Sequence, residues 1–411
     1  MEMSNKKQEI PAIRFNGFTD AWEQRKLEED ISVVGGATPS KSNPEYWNGP
    51  IVWLSSQEIK EKYVSKGTYT ITKKAVDDNT TKMVKAGTPL IVSRSGILAR
   101  LFPISIPTTD VAINQDIKAL IFDPNIITTN FFVAQLQKNE EFILRSIVKT
   151  GTTVQSINMP DFYKLLLSFP STDEQEKVGK FFQRLDDAVA LHQRQLDNYK
   201  ELQKSLLQKI FNQELRFKDK YGDDYPEWEK EKLGNLITEV VEKSTIQDQY
   251  PILSSTNKGL FLQSEYFKSN IASDDNIGYK ILRQNEIVFS PQNLWMGNIN
   301  FNDKYEAGIV SPSYKIFSVN DGIVHEFMKF MIKTQYMMNE YVLSSEQGAS
   351  IVRRNLDMEL FNKIKVKIPT IPEQKKITDF LIASDDQIDQ VAQKLERLKE
   401  QKKGLMQRMF V

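Results

Sequence analysis

The side chains that most often carry enzymatic chemistry are scarce in this sequence. It contains no cysteine, which excludes disulfides, thiolate metal sites and cysteine nucleophiles. Its two histidines, His192 and His325, lie far apart in the chain, so a zinc site has little to be built from. His192 falls on the apolar seam of a predicted helix and His325 opens another, where packing and capping are the expected roles. Neither histidine therefore predicts a catalytic centre.

Three short segments resemble catalytic motifs but lack a residue that the motif needs. Asn43-Pro44-Glu45-Tyr46 is similar to the N/D-P-P-Y/F motif of amino-methyltransferases, but its third residue is Glu and no glycine-rich cofactor loop accompanies it. Gly35 to Pro39 lacks the G-K-[ST] ending of a phosphate-binding loop. Asp116-Ile117-Lys118 is half of a nuclease motif, and such triples are common by chance. We therefore predict a chain that is not an enzyme and that holds no metal or cofactor.

Polar residues of the types that hydrogen-bond to base edges recur in turn-rich stretches. Such side chains, presented on loops that a rigid scaffold braces, are the usual means of reading a DNA sequence. A solvated turn explains any single residue at least as well, so the hypothesis concerns the loops more than the residues. The predicted DNA-binding residues are Ser55, Ser56, Gln57, Arg94, Ser95, Arg100, Thr150, Thr152, Thr153 and Gln155 in the first half, and Ser254, Ser255, Thr256, Asn257, Gln292, Asn293, Ser313, Tyr314, Gln347, Ser350, Arg353 and Arg354 in the second.

The elements that must position these loops occur twice, because the chain is an internal repeat. A block of residues recurs at a constant offset of 199 positions. Its members are Pro170, Glu174, Gln175, Lys177, Phe181, Asp186 and Asp187, which return as Pro369, Glu373, Gln374, Lys376, Phe380, Asp385 and Asp386. Duplication is the simplest cause. Outside this block the two halves diverge strongly, as expected if one scaffold carries two different binding surfaces.

Each copy of the block predicts one long helix, at about 173–211 and about 372–410, because the first turn holds a proline or acidic residue and no later proline interrupts it. Apolar residues step by 3 and 4 alternately, which is a heptad seam. Packing on the protein's own body would explain one such helix, but two matching helices can pair, and an antiparallel pair fits a chain that must return between them. The seam residues are Phe182, Leu185, Val189, Leu196, Tyr199 and Leu206, and Leu381, Ile388, Val391, Leu395, Leu398 and Leu405.

The segments outside the helices predict mixed α/β domains. Short apolar runs such as Pro89 to Ser93 and Glu286 to Ser290 lie between turn residues and indicate strands. Asn130 to Val148 and Val324 to Leu343 each have the length and period of one helix. We therefore predict an α+β protein with two α/β domains, at 1–170 and 213–369, each followed by a long helix, at 171–212 and 370–411, and with the two helices paired as an antiparallel coiled coil.

Bulk composition is that of a packed globular protein, with 40% hydrophobic and 26% charged residues. The first ten residues are polar and charged, and no run of about 18 apolar residues could span a bilayer, so we expect a cytoplasmic protein without membrane contact. The 54 Lys and Arg residues balance 54 Asp and Glu residues. Nucleic-acid binders often carry an excess of positive charge, so this balance argues against tight DNA binding by the chain alone. It still permits a reader whose partners supply phosphate contacts.

Together these segments resemble the specificity subunits of type I restriction-modification systems. The resemblance rests on Gly36 to Pro39 followed by Asn43 to Trp47, on Arg94-Ser95-Gly96, on the Gly-Thr-Thr loop at 151–153, and on the twice-used Glu-Gln-x-Lys start of a long helix. It implies two target recognition domains that each read one half of a split, asymmetric sequence in double-stranded DNA, held apart by the helix pair. It also implies two adenine methyltransferase subunits that use S-adenosylmethionine and two restriction subunits that use ATP and Mg, with all these cofactors on the partner subunits.

A second interpretation is a duplicated coiled-coil scaffold that binds two protein partners without DNA, which the zero net charge would suit. A third is a free-standing modifying enzyme, which the absent motifs disfavour. Sequence-specific retention of a DNA duplex distinguishes the first interpretation from the second.

Overall fold

A computed structural model describes residues 10–78, 80–151, 154–267, 275–350 and 353–411. The chain divides into two compact units, Met1–Arg194 with Ala392–Val411, here unit 1, and Gln195–Val391, here unit 2. The division cuts across both long helices. Each unit therefore contains the first part of one long helix and the last part of the other.

Unit 1 is built of short strands and short helices before the first long helix. The strands are β1 (Glu23–Lys26), β2 (Ser32–Gly35), β3 (Trp47–Leu54), β4 (Tyr63–Val64), β5 (Tyr69–Ile71), β6 (Met83–Val84), β7 (Leu90–Val92), β8 (Ile104–Pro107), β9 (Val111–Ile113), β10 (Ile117–Ile121), β11 (Val148–Thr150), β12 (Gln155–Ile157) and β13 (Leu166–Phe169). The helices are α1 (Leu27–Asp30), α2 (Lys73–Asp77), α3 (Thr129–Lys138), α4 (Glu140–Phe142), α5 (Met159–Tyr163) and α6 (Thr172–Phe211).

These strands form two sheets, in the orders β2-β10-β7-β8-β4 and β5-β3-β9-β6, and two ribbons, β1-β13 and β11-β12. Strand β7 is central to the first sheet and is buried on both faces. Ile91 joins the core under α3, which includes Phe131, and Leu90 and Val92 join a second core with Val111. Side chains alternate across a strand, so one continuous apolar run serves two cores.

Unit 2 repeats this plan with different details. Its strands are β14 (Glu229–Lys232), β15 (Ile237–Val240), β16 (Leu253–Thr256), β17 (Gly259–Leu262), β18 (Lys280–Arg283), β19 (Ile287–Phe289), β20 (Ile299–Phe301), β21 (Ala307–Val310), β22 (Lys315–Val319), β23 (Ser345–Ser350), β24 (Arg353–Leu356) and β25 (Lys365–Ile368). Its helices are α7 (Leu233–Leu236), α8 (Gln263–Tyr266), α9 (His325–Met331), α10 (Gln335–Leu343), α11 (Met358–Lys363) and α12 (Ile371–Met409).

The sheet order β15-β22-β19-β20 matches β2-β10-β7-β8, and the ribbons β14-β25 and β23-β24 match β1-β13 and β11-β12. Strand β19 also divides its residues between two cores, with Ile287 and Phe289 in one and Val288 in the other. The internal repeat seen in the sequence is therefore a repeat of topology, and the predicted fold class is confirmed.

Two stretches that were predicted as single helices are interrupted. After α3, the chain continues as α4 and a π-helical turn at Ile143–Ile147. In the second half, α9 ends at Met331 and α10 begins at Gln335. The hydroxyl of Thr334 accepts a hydrogen bond from the Met337 N–H and so caps α10. The apolar period continues through this break, which is why the period alone predicted one helix.

The predicted seam is the face on which the long helices pack. Of the predicted seam residues, Phe182, Leu196, Leu381 and Leu395 are buried and the others are half-buried. Within unit 1, the rings of Phe182 and Phe410 lie 5.3 Å apart. Four residues further along α6, Asp186 pairs at 2.5 Å with Lys402, which comes before Phe410 in the chain. The helices are therefore antiparallel, as predicted.

Equivalent aspartates join the helix pair to the body of each unit. The second carboxylate oxygen of Asp186 pairs with Lys62 Nζ at 2.7 Å. In unit 2 the repeat-equivalent Asp385 accepts a hydrogen bond from Gln203 of α6 at 2.7 Å and pairs with Lys329 at 2.7 Å. One carboxylate in each unit thus contacts both the other long helix and the domain.

The repeated glutamine at the start of each long helix joins that helix to a distant loop. Gln175 donates its side-chain N–H to the Pro170 carbonyl at 3.0 Å and accepts the Thr128 N–H at 3.0 Å. Gln374 accepts the Val324 N–H at 2.8 Å. Both glutamines are 1% exposed. Each therefore fixes the loop that precedes α3 or α9 against its long helix.

The neighbouring glutamate is fully buried and is paired with an arginine from the start of its half. Arg14 binds both Glu174 oxygens, at 2.6 and 2.7 Å. Arg216 binds Glu373 at 3.3 and 3.0 Å, and the indole N–H of Trp228 adds a bond at 3.1 Å. The hydrogen bond to the carboxylate raises the pKa of each arginine above its ordinary value. A buried carboxylate is stable only when it is paired in this way.

The sequence prediction missed both arginines. Their signal is a short echo, Ile13-Arg14-Phe15 and Leu215-Arg216-Phe217, whose spacing differs slightly from that of the helical block. A search at one fixed offset passes over it.

Removing Arg216 tests whether this pairing stabilises the fold. Arg216→Ala leaves the buried Glu373 carboxylate without its cation, so we expect the free energy of unfolding to fall by roughly 3–5 kcal/mol in urea titrations. Arg184→Ala, at an exposed position of α6, is the control and should change it by less than about 0.5 kcal/mol. A loss for Arg216→Ala as small as that of the control would show that the pair contributes little.

Candidate nucleic-acid interface

In unit 1 two of the predicted reading segments lie side by side. The loop after β7 runs along the β11-β12 ribbon, where the Ser95 N–H donates to the Gln155 carbonyl at 3.1 Å and the Ile157 N–H donates to the Ser93 carbonyl at 2.9 Å. Arg94 is exposed on this loop. The fold therefore brings the adjacent Arg94 and Ser95 together with Gln155, which is distant from them in sequence.

Unit 2 builds the same pair of segments. The loop after β19 contacts the β23-β24 ribbon through the Arg354 N–H, which donates to the Gln292 carbonyl at 3.3 Å. The Arg354 guanidinium binds the Ser345 hydroxyl at 2.9 Å and the Ser345 carbonyl at 2.5 Å. Arg354 thus braces the ribbon within the chain, while Gln292 is exposed beside it.

A second group in unit 2 surrounds Ser255, whose side chain is buried in a polar network. Its hydroxyl donates to Asn298 at 2.7 Å and accepts from Asn300 at 2.8 Å. The Tyr314 hydroxyl donates to the Ser255 carbonyl at 3.4 Å, and burial raises the pKa of Tyr314. Ser255 therefore holds a hairpin in place, and the exposed Asn257 lies at the turn of that hairpin.

The segment Ser55 to Gln57 follows β3 in unit 1 and is braced by Glu58. Ser55 donates to the Glu58 carboxylate through its N–H at 2.8 Å and its hydroxyl at 2.7 Å, and the Thr68 hydroxyl donates to it at 2.6 Å. Burial opposes ionisation of Glu58, but these hydrogen bonds outweigh it and keep the pKa below the ordinary value. Gln57 remains exposed.

The predicted residues differ widely in exposure. Exposed side chains are those of Gln57, Arg94, Arg100, Thr150, Asn257, Gln292 and Ser313. Half-buried side chains are those of Ser55, Ser56, Ser95, Gln155, Thr256, Asn293, Tyr314 and Arg354, and buried ones are those of Ser254 and Ser255. Thr152 and Thr153, and the side chains of Gln347, Ser350 and Arg353, lie outside the described residues. Base contact by any of these residues stays a prediction.

Within the described part of the chain, no cluster of three or more His, Asp or Glu side chains is placed to hold a metal ion. None of the helices found there combines the length and the apolar character needed to cross a membrane.

Lys333 holds the end of the loop after β19 by a hydrogen bond. Its Nζ donates to the Gly297 carbonyl at 3.0 Å, and burial lowers its pKa from 10.5 to about 8. Gly297 has φ of 82° and ends a short 3₁₀ turn at Leu294–Met296, a left-handed backbone conformation that favours glycine.

The lowered pKa of Lys333 predicts a pH-dependent stability. Between about pH 8 and pH 10.5, the Lys333 amine is neutral in the folded protein but is still protonated in the unfolded chain. The free energy of unfolding of the wild type should therefore rise with pH in this window, relative to that of Lys333→Met. Urea unfolding of both proteins at several pH values in this window measures the difference. Lys304→Met, at an exposed site, should show no such trend. A wild-type advantage that stays flat or falls with pH would contradict the expected linkage.

Comparisons with known proteins find similarity to the DNA specificity subunits of type I restriction enzymes. A family model described as the type I restriction modification DNA specificity domain matches residues 19–201. The specificity subunit of the type I restriction enzyme EcoR124I/EcoR124II from Escherichia coli is 30% identical over 192 residues, which cover 44% of this chain and 47% of that protein. The MjaIX specificity subunit from Methanocaldococcus jannaschii is 23% identical over 405 residues, which cover 88% of this chain and 91% of that protein.

A solved structure shares the fold over the whole length. The S subunit of a type I restriction-modification system from M. genitalium aligns over 98% of this chain and 99% of its own, with a TM-score of 0.59 and 15% identity. The alignment with the E. coli subunit spans about half of that relative, whereas the M. jannaschii and M. genitalium proteins match in both halves. The similarity therefore extends to the repeat as well as to the first domain.

Proposed function

Because the chain belongs to the family of type I restriction-modification specificity subunits, we propose that it reads a bipartite, asymmetric DNA sequence and catalyses no reaction itself. The observation that carries the proposal is the duplicated loop pair. The loop after β7 lies on the β11-β12 ribbon, and the loop after β19 lies on the β23-β24 ribbon. Two equivalent surfaces with different side chains suit a target whose halves differ in sequence.

Exposed polar side chains on these braced loops would read the bases. Arg94 on the first loop is suited to guanine, because a guanidinium can donate two hydrogen bonds to one guanine edge. Gln292 on the second loop is suited to adenine, because one edge of adenine can both accept a hydrogen bond from a side-chain amide and donate one to it. Bracing by backbone hydrogen bonds limits the conformational freedom that the loops would lose on binding.

The long helices would set the gap between the two half-sites. Helix α6 has 40 residues and α12 has 39, which at 1.5 Å per residue gives about 60 Å. Two half-sites that lie one turn of B-DNA apart, about 34–36 Å, fall within that length. Both domains would then face the same side of the duplex.

The chemistry would belong to the partners. We expect two adenine methyltransferase subunits that bind S-adenosylmethionine and two restriction subunits that bind ATP and Mg, in a cytoplasmic complex. A methyltransferase must flip its adenine out of the duplex to reach it. The specificity subunit would hold that enzyme at a fixed position relative to the bases that it reads.

Selection from a pool of random DNA duplexes tests the proposal. The chain with its methyltransferase partner should enrich duplexes that share two short fixed sequences separated by an unread gap, whereas the methyltransferase alone should not. The zero net charge favours the alternative of a duplicated coiled-coil scaffold without a DNA role. That alternative predicts no enriched sequence with any partner, and such a result would overturn the proposal.

Shortening both long helices together tests their role in spacing. Deletion of seven residues around Leu196 and seven around Leu395 keeps the heptad phase and shortens the pair by about 10 Å. That length corresponds to about three base pairs, so the selected gap should shrink by that amount or binding should be lost. Substitution of exposed Lys200 and Lys399 by Ala is the control and should leave the gap unchanged. An unchanged gap in the deletion variant would refute a spacing role.

A further inference from the structure

The β14-β25 ribbon of unit 2 places lysine opposite lysine. In its register Lys230 faces Lys367 and Lys232 faces Lys365. Residues that face each other across two strands lie on the same side, as do residues two apart in one strand, so all four lysines share one face. All four are exposed. We call this surface the lysine face.

No described carboxylate neutralises the lysine face by an ion pair. None of the four lysines forms an ion pair with a described residue. The carboxylate of Glu214, which lines the same groove as Lys230, Lys365 and Lys367, accepts a hydrogen bond from Asn212 at 3.1 Å instead. Like charges directly opposite each other destabilise a ribbon. The arrangement is therefore unfavourable for folding, and a bound anion would reduce the repulsion between the lysines.

The scaffold itself does not need these lysines. The equivalent ribbon β1-β13 of unit 1 has the same register, in which Gln24 faces Ser168 and Lys26 faces Leu166. Only one of those four positions holds a lysine, and the ribbon forms nonetheless. The lysine face is thus a property of the second half alone, in a chain whose net charge is zero.

We propose that the lysine face binds backbone phosphates of the DNA duplex independently of base sequence, which rests on the proposed function. Lysines two apart in a strand are separated by about 6.8 Å, and phosphates of one DNA strand advance by about 3.4 Å along the axis for each nucleotide. With their flexible stems, Lys230 and Lys232 can therefore reach two separate phosphates of one strand. A compact ammonium group suits such contacts, which position a protein on DNA without specifying bases.

This assignment makes the two halves unequal in how they hold DNA. The second half supplies salt-dependent, sequence-independent affinity through the lysine face. In the first half the equivalent ribbon β1-β13 carries one lysine at these positions, so that half would depend more on its reading loops.

The test replaces Lys230, Lys232, Lys365 and Lys367 by Gln in the chain bound to its methyltransferase partner. Affinity is measured by fluorescence anisotropy over a series of salt concentrations, for a duplex with the selected sequence and for an unrelated duplex. We expect the slope of log affinity against log salt to become shallower by about 2–4, since each phosphate contact contributes about 0.9. Affinity for both duplexes should fall by the same factor, about tenfold or more, and their ratio should not change.

Two controls each remove one positive charge: Lys26→Gln on the ribbon of unit 1 and Lys363→Gln beside β25. Neither should change the salt slope by more than the value of one phosphate contact, about 0.9. Thermal unfolding of the fourfold variant should be unchanged or slightly improved, because repulsion is removed. An unchanged slope would overturn the proposal. So would unchanged DNA binding together with weaker binding of the methyltransferase, which would identify the face as a protein-docking surface.

The outcome is separable from that of the proposed function. If the wild type binds both duplexes equally but the variant has a shallower slope of log affinity against log salt, the lysine face binds phosphate and the proposed sequence recognition is refuted. If wild type prefers the selected duplex and the variant keeps its slope, sequence reading holds and the lysine face does not bind DNA. Absence of any DNA binding by the wild-type complex would overturn both.

Discussion

The buried carboxylate at the start of each long helix is the constraint on which the other features depend. Glu174 and Glu373 have no access to water and must be paired, and their arginines come from the opening segment of each half. The adjoining glutamine fixes the loop before α3 or α9 to the same helix turn. Three segments that are distant in sequence therefore meet at one point, and the domain has one orientation on its helix.

The long helices in turn position the sheets and their loops. The seam residues bury one face of each helix, and Asp186 and Asp385 join the second helix to the domain in each unit. Each unit thus contains parts of both long helices. The sheets that pack on them carry the loops after β7 and β19, which are held by backbone hydrogen bonds to neighbouring ribbons. Packing and backbone hydrogen bonds thus hold these loops in place within each unit.

The periodic features were predictable from sequence, and the non-local ones were not. The seam from Phe182 to Leu206 and its copy follow from spacing alone, as does the α/β character of each half. The partners of Glu174 and Glu373 were missed because their echo has a different offset. Thr334 interrupts a continuous apolar stripe by capping, which no period reveals. The burial of Ser254 and Ser255, and the pairing of Lys230 with Lys367, depend on strand register between distant segments, which a residue list does not encode.

Two loop pairs on one helix pair are proposed to give this chain a two-part DNA target. Mapping of methylated adenines in the DNA of cells that express the chain, an active methyltransferase partner, or both tests it most directly. We expect a new methylated motif with two fixed parts and a constant unread gap only when both proteins are present. A motif without a gap, a motif that the methyltransferase makes alone, or no new methylation with an active partner would contradict the account.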